Sequence, residues 1–215
     1  MAGPLKGVRV LDLSRILAGP WTSQLLADFG AEVIKVERPV TGDDTRAWGP
    51  PYLNGGEAAE NRESAYFLSA NRGKKSITVD ISTAKGSAII RELVATADVF
   101  IENYKTGDMA RYGLDYESLS RLNPKLVYCS ITGFGQTGPY RNRPGYDFVI
   151  QAMGGLMSIT GEPDSEGGRP MKCGVPISDL MTAMYSISAI LGALVERAAS
   201  GTGQYIDMSL LDVQV

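Results

Sequence analysis

Short runs rich in Val, Ile and Leu alternate along this chain with longer segments of helical spacing, and that alternation constrains the fold more than any single motif. The runs fall at residues 8–13, 32–37, 75–81, 98–103, 126–131 and 204–210 and read as six strands. Helical patterns lie at 22–29, 83–96, 116–122, 148–156 and 180–199. Strands separated by helices imply right-handed βαβ crossovers, because a parallel neighbour can be reached only by a connection long enough to pass over the sheet. The expected fold is therefore α/β, a Rossmann-like, mainly parallel sheet with helices on both faces. Dinucleotide binding does not follow from it. The turn between the first strand and first helix reads Leu17-Ala18-Gly19-Pro20, without the G-x-G-x-x-G that lets a backbone wrap a pyrophosphate.

Three Gly-, Pro- and polar-rich stretches, 39–64, 132–144 and 160–176, interrupt the pattern. Loops of that length in a compact domain are usually lids or binding loops. Composition narrows the chemistry further. The 215 residues contain no histidine, so His-based triads and His-ligated metals are excluded from this segment, and carboxylates, Tyr, Ser, Lys, Arg or backbone amides must carry any reaction. A net charge of −3 gives no general attraction to nucleic acid or anionic membrane, so neither is expected as a partner, and an anionic ligand needs a local cluster of Arg and Lys. Two cysteines, Cys129 and Cys173, are too few and too far apart for a disulfide framework or a metal motif. A reducing cytoplasm, or an organelle matrix, is the expected compartment. The N-terminus lacks signal-peptide anatomy, and the apolar stretch 187–195 is too short and too Ser-interrupted to span a bilayer.

Five blocks, in order and in register, resemble the class III (formyl-CoA transferase-like) coenzyme A transferases. They are Gly7-Val8-Arg9-Val10-Leu11-Asp12 continuing to Ala18-Gly19-Pro20; Gly30 to Arg38 followed by Gly42-Asp43-Asp44-Thr45-Arg46; Asn71-Arg72-Gly73-Lys74-Lys75-Ser76-Ile77; Glu102-Asn103-Tyr104; and Gly201-Thr202-Gly203-Gln204. The resemblance implies an enzyme that moves CoA from an acyl-CoA onto a free carboxylic acid. It also implies a homodimer of interlocked rings, with no permanently bound cofactor and CoA or acyl-CoA as substrate. Members of the family are longer, so this chain corresponds to their N-terminal half. Residues 1–200 are expected to form the CoA-binding large domain and 201–215 the start of the connection to a second one, with a Gly-rich shielding loop beyond Val215. Within the family, the stretch from Val36 to Pro51 and Tyr128 to Gly133 is most similar to members using succinyl-CoA and small dicarboxylic acids.

The resemblance places the catalytic carboxylate on Asp179. From the residues alone, Asp179 beside Ser178 at the start of a long helix reads more simply as a capping device worth ~1 kcal/mol. A helix N-terminus is expected to lower its pKa and keep it ionised as a nucleophile. Tyr146 stands where the racemase branch of the same superfamily places a histidine, and a phenol of unperturbed pKa about 10 is poorly suited to shuttling protons near neutrality. Tyr146 is thus a candidate for orienting a substrate carboxylate, or a plain core Tyr, and Tyr66 is a weaker candidate of the same kind. Asp147 is expected to cap the helix that follows it. Leu17 occupies the position where the formate/oxalate branch carries a Gln near the substrate, which argues against those two acids.

For CoA itself the resemblance points to Arg38 at the carboxyl end of the second strand, the Asn103-Tyr104 pair, Arg111, and a close backbone approach at Ala18 and Gly19. Lys75 is a further candidate, although Lys74 and Lys75 read more simply as solvated charge. Two other readings remain from the sequence: an acyl-CoA racemase or epimerase, and a non-catalytic CoA-binding module, which has no need of Asp179.

Overall fold

The computed structural model describes residues 3–53 and 63–215. Six parallel strands form one sheet in the order β3-β2-β1-β4-β5-β6: β1 (Arg9–Asp12), β2 (Glu32–Glu37), β3 (Lys74–Thr78), β4 (Val99–Glu102), β5 (Val127–Thr132) and β6 (Tyr205–Ser209). All six lie where the apolar runs put them. β1 pairs with β2 on one side and with β4 on the other. The winding therefore reverses between β1 and β4, which opens a crevice beyond the carboxyl ends of these strands, the place where open α/β sheets bind ligands.

Alternate strand residues feed two cores, as a two-residue period requires. Val10, Val33, Val99, Ile101, Val127, Cys129 and Ile131 face one layer. That layer contains α1 (Ala18–Asp28), α6 (Asp147–Met153), the 24-residue α7 (Ile177–Ser200) and α8 (Leu210–Gln214). Leu11, Leu13, Val36, Phe100 and Tyr128 face the other layer, built by α3 (Ala84–Val94), α4 (Asp108–Arg111) and α5 (Tyr116–Leu122). Helix α2 (Ala65–Asn71) completes the set.

Several boundaries differ from the sequence reading for identifiable reasons. Helix α1 begins four residues earlier than expected because Pro20 sits in its first turn, where a missing N–H costs nothing. Helix α2 follows directly on the long loop, capped by the Ser64 hydroxyl, which accepts the Phe67 N–H at 3.0 Å; residues 54–62 of that loop lie outside the described residues. Helix α7 is long and apolar enough by length and composition to cross a membrane, contrary to the reading from 187–195 alone. It buries Ser178, Thr182, Ser186 and Ile190 and packs against α1, β5 and β6, the place of a core helix. Residues 201–215, expected to begin a connection, are continuous with this unit: β6 extends the sheet beside β5, and α8 packs on α7.

Candidate functional site

Beyond the carboxyl ends of β1, β4 and β5 lies a cavity of about 280 Å³ whose walls include Leu17, Ala18, Asn103, Tyr104, Tyr146 and Asp179. Six residues singled out from the sequence thus converge on one space, although Leu17 and Asp179 lie 162 positions apart in the chain.

Asp179 sits in the first turn of α7. It does not cap that helix. Pro176 occupies the N-cap position with no side-chain bond, and the free amides are taken by Asp147, whose carboxylate accepts the N–H of Ser178 at 2.7 Å and of Asp179 at 3.2 Å. Nor does Asp147 cap its own helix: it is the first residue of α6, and its side chain turns to the α7 amides instead, while Gln151 Nε2, one turn further along α6, also donates to it at 2.5 Å. The consequence reverses the electrostatic expectation. Burial and the neighbouring Asp147 charge push the Asp179 carboxyl up to about 7, and the helix amides expected to stabilise its anion are bonded to Asp147. Among the described residues the Asp179 carboxylate accepts no hydrogen bond, which leaves both of its oxygens free to react.

Two aromatic side chains accompany it. Tyr146, immediately before α6, is 60% exposed and lines the cavity. Tyr66 on α2 stands outside the lining, edge-on to Trp48 at 5.3 Å, yet near enough that the Asp179 and Asp147 charges add to burial in raising its phenol pKa.

The opposite wall is a polar clamp. Asn103 donates to the Arg15 carbonyl at 2.7 Å and accepts the Arg15 N–H at 2.9 Å, while the Tyr104 N–H donates to the buried carboxyl of Glu102 at 2.7 Å. Asn103 therefore shapes the β1–α1 turn as well as facing the cavity. In that turn Ile16 adopts φ 72°, a conformation β-branched residues rarely accept, held by its N–H bond to the Asp43 carboxylate at 3.3 Å. The Arg15 guanidinium lies over the Tyr104 ring at 5.7 Å and donates to Asp44 at 2.6 Å, and Arg38 reaches the same Asp44 at 2.5 Å. One carboxylate thus gathers two guanidiniums beside the cavity, a concentration of positive charge in an acidic chain.

The block Gly42 to Arg46 acquires its physical meaning here. Asp43 forms a buried pair with Lys35 at 2.9 Å, Asp44 holds the two arginines, and Arg46 makes a two-pronged bond to Glu37 at 2.6 and 2.8 Å. Glu37, in turn, accepts the Asp43 N–H at 2.9 Å. Asp43 and Arg46 thereby fix the loop to β2, and Asp44 ties it to Arg38 just beyond the end of that strand.

Other candidates fall elsewhere. Lys75 is on the edge strand β3, exposed and paired with Glu32 at 2.6 Å, because side chains alternate along a strand and Lys75 points to the side opposite Lys74. Lys74, read as solvated, is buried against Asp12 at 3.1 Å and Asn71 at 2.8 Å. Burial lowers its pKa to about 8, whereas burial of Asp12 is outweighed by Lys74, Lys35 and two serine hydroxyls that hold it at about 2. Gly19 does not face the cavity; a Cβ there would meet Ser14 Cβ at 2.2 Å, so its smallness serves the turn. Arg111 is outside the lining as well, bonded at 3.2 Å to Asp108, which does line it. Sequence reasoning missed Arg15, Lys105, Arg141 and Arg143, all on the cavity wall. The available signal was the Arg-Asn-Arg triplet inside the 132–144 loop.

A parallel sheet with this winding, carrying a half-buried carboxylate without a hydrogen-bond partner among the described residues, on a cavity wall shared with Arg15, Lys105, Arg141 and Arg143, agrees with what comparison shows. Residues 5–215 match the model of CoA-transferase family III, and the chain belongs to that family. It is 60% identical over 211 residues to the succinate–glutarate CoA-transferase of Agrobacterium fabrum, covering 98% of this chain and 52% of that protein. It is 51% identical over 212 residues to the succinyl-CoA:glutarate CoA-transferase of Homo sapiens, covering 99% of this chain and 46% of that protein. A CAIB/BAIF family protein from Brucella suis has the same architecture, with a TM-score of 0.92 and 55% identity over all of this chain and 55% of the other. The chain spans about half the length of these relatives.

Proposed function

We propose that the protein containing this chain transfers CoA from succinyl-CoA to a small dicarboxylic acid, with Asp179 as the nucleophile. The observation that carries the reading is Asp179 itself: a carboxylate on the wall of the cavity, with no hydrogen-bond donor among the described residues. A free carboxylate acceptor is a poor electrophile and must be activated before a thiolate can attack it. Asp179 attacks the thioester carbonyl, forming a mixed anhydride and releasing CoA thiolate. The thiolate attacks the aspartyl carbonyl of that anhydride, giving an aspartyl-CoA thioester and the first free acid. The acceptor carboxylate attacks the thioester, and the returning thiolate takes the acyl group from the second anhydride, freeing Asp179. Bonds made and broken balance in each half, and the thioesters exchanged are similar in energy, so the cycle needs no external energy source.

The residues around Asp179 support this division of labour. Arg15 and Arg38, gathered on Asp44, supply positive charge for the phosphates of CoA, with Tyr104 and Ala18 along the way. Tyr146, at the nucleophile's end of the cavity, is placed to orient an acyl group. The names of the relatives at 60% and 51% identity support succinyl-CoA as donor and glutarate as acceptor. A homodimer and a cytoplasmic or matrix location accompany this reading.

One observation favours a second reading. A carboxyl poised at about 7 suits general acid–base work, as in an acyl-CoA racemase; Tyr146 as its opposite partner argues against it. Assay of the full-length protein with succinyl-CoA and glutarate separates the two. Glutaryl-CoA and succinate in equal amounts support the transferase, whereas solvent deuterium entering the α-carbon of a chiral acyl-CoA without CoA transfer rejects it.

A further inference from the structure

The 132–144 loop, expected as a lid or binding loop, carries two guanidiniums for which the mechanism above has no use. Arg141 and Arg143 both line the cavity, and neither side chain forms an ion pair among the described residues. Their settings differ. The Arg141 carbonyl accepts the Thr106 hydroxyl at 2.9 Å, which ties that end of the loop to the stretch following Tyr104. Arg143 lies three residues before Tyr146 and four before Asp147, the residue that holds the N-terminus of α7 beside Asp179. Its guanidinium stacks on the Tyr140 ring at 4.2 Å, and the Arg143 backbone N–H donates to the Tyr140 carbonyl at 2.8 Å, closing a turn. Gly133 and Gly145 bring the strap against the end of β5: a Cβ on Gly133 would lie 2.4 Å from the Gly145 Cα.

We propose that Arg143 is the specificity-determining residue that recognises the second, non-reacting carboxylate of a dicarboxylic acyl group. The inference rests on the transferase reading. Stacking on Tyr140 fixes the guanidinium plane and leaves its N–H edge free, the arrangement suited to a two-pronged carboxylate bond. Charge requires such a partner. A dicarboxylate approaching Asp179 brings a second negative charge into a cavity whose wall also carries Asp108 and whose nucleophile has the Asp147 carboxylate on its backbone N–H, and without a fixed cation a monocarboxylate is the better-tolerated acid. Arg15 and Arg38 already share Asp44, whereas Arg143 has its full charge available.

The test compares glutarate with pentanoate, equal in carbon count but lacking the second carboxylate, as acceptors for the full-length enzyme and its Arg143→Gln variant. The variant is expected to lose about tenfold to a hundredfold in kcat/KM for glutarate, with pentanoate unchanged and inhibition by free CoA unchanged. Arg143→Lys is expected to retain part of the preference. An unchanged glutarate-to-pentanoate ratio, or a weakened CoA inhibition constant as the main effect, overturns the proposal and assigns Arg143 to the CoA phosphates. If the wild type transfers CoA to no acid, the transferase reading has failed instead. Calorimetric titration of wild type and variant with the two acids then decides the role of Arg143: a glutarate preference lost in the variant supports it, and no preference in the wild type refutes it.

Discussion

Asp147 and Asp179 are joined through the backbone: the Asp147 carboxylate accepts the Asp179 N–H at 3.2 Å, and with it the Ser178 N–H at 2.7 Å. One acidic residue thus occupies the helix terminus on which the other sits, and the second is left with a carboxyl raised to about 7 by burial and by its neighbour's charge. Asp147→Asn keeps an acceptor oxygen for the two amides while removing the charge. The acid limb of the kcat/KM profile should therefore move to lower pH, because Asp179 then ionises more easily. Asp147→Ala removes the cap as well and should cost about 1–2 kcal/mol of stability. A pH–rate series on both variants checks this.

The same shift predicts a conflict between stability and function. The Asp179 pKa is higher in the folded protein than its ordinary 3.8, so the folded state binds this proton more tightly. Its contribution to stability is full below about pH 4 and is lost as pH rises through 7. Asp179→Asn should consequently be inactive yet more stable than wild type at pH 8, by about 1–2 kcal/mol, with little difference at pH 4. Denaturant titrations at the two pH values test it.

Neighbouring lysines should behave in opposite ways. Lys74→Met leaves Asp12 short of one of its partners in a buried network and should destabilise by about 3 kcal/mol; Lys75→Ala removes an exposed pair with Glu32 and should change stability by less than about 0.5 kcal/mol. Thermal unfolding of the two variants measures the contrast.

Gly133→Ala tests the strap. The added Cβ lies 2.4 Å from the Gly145 Cα and 2.7 Å from its nitrogen, backbone atoms that cannot swing aside. Overpacking of this kind costs about 1–3 kcal/mol. Displacing Tyr146 and Arg143 should lower kcat/KM at least about tenfold, more than the stability loss alone explains, as steady-state kinetics below the melting transition will show.

Much of this was legible in the chain because two-residue alternation in strands such as Val99–Glu102 serves two cores at once and leaves a plain apolar signature. The convergence of Leu17, Asn103, Tyr146 and Asp179 was legible only through resemblance, since no spacing rule connects residues so far apart. What escaped was tertiary. That Asp147 would cap α7 rather than its own helix depends on how α6 and α7 meet, and the burial of Lys74 beside the exposure of Lys75 depends on which way an edge strand turns its side chains. The pKa of Asp179 is tertiary as well: burial first, and then the Asp147 charge brought beside it, turn the expected lowering into a rise.

Covalent capture at Asp179 tests the central claim most directly. The full-length protein is incubated with succinyl-CoA, digested, and the peptide containing Asp179 is examined by mass spectrometry, with Asp179→Asn and hydroxylamine treatment as companions. A CoA thioester on Asp179, absent from the variant and removed by hydroxylamine, is the expected result. Steady CoA transfer to glutarate with no modification at Asp179, or continued transfer by Asp179→Asn, would contradict the account.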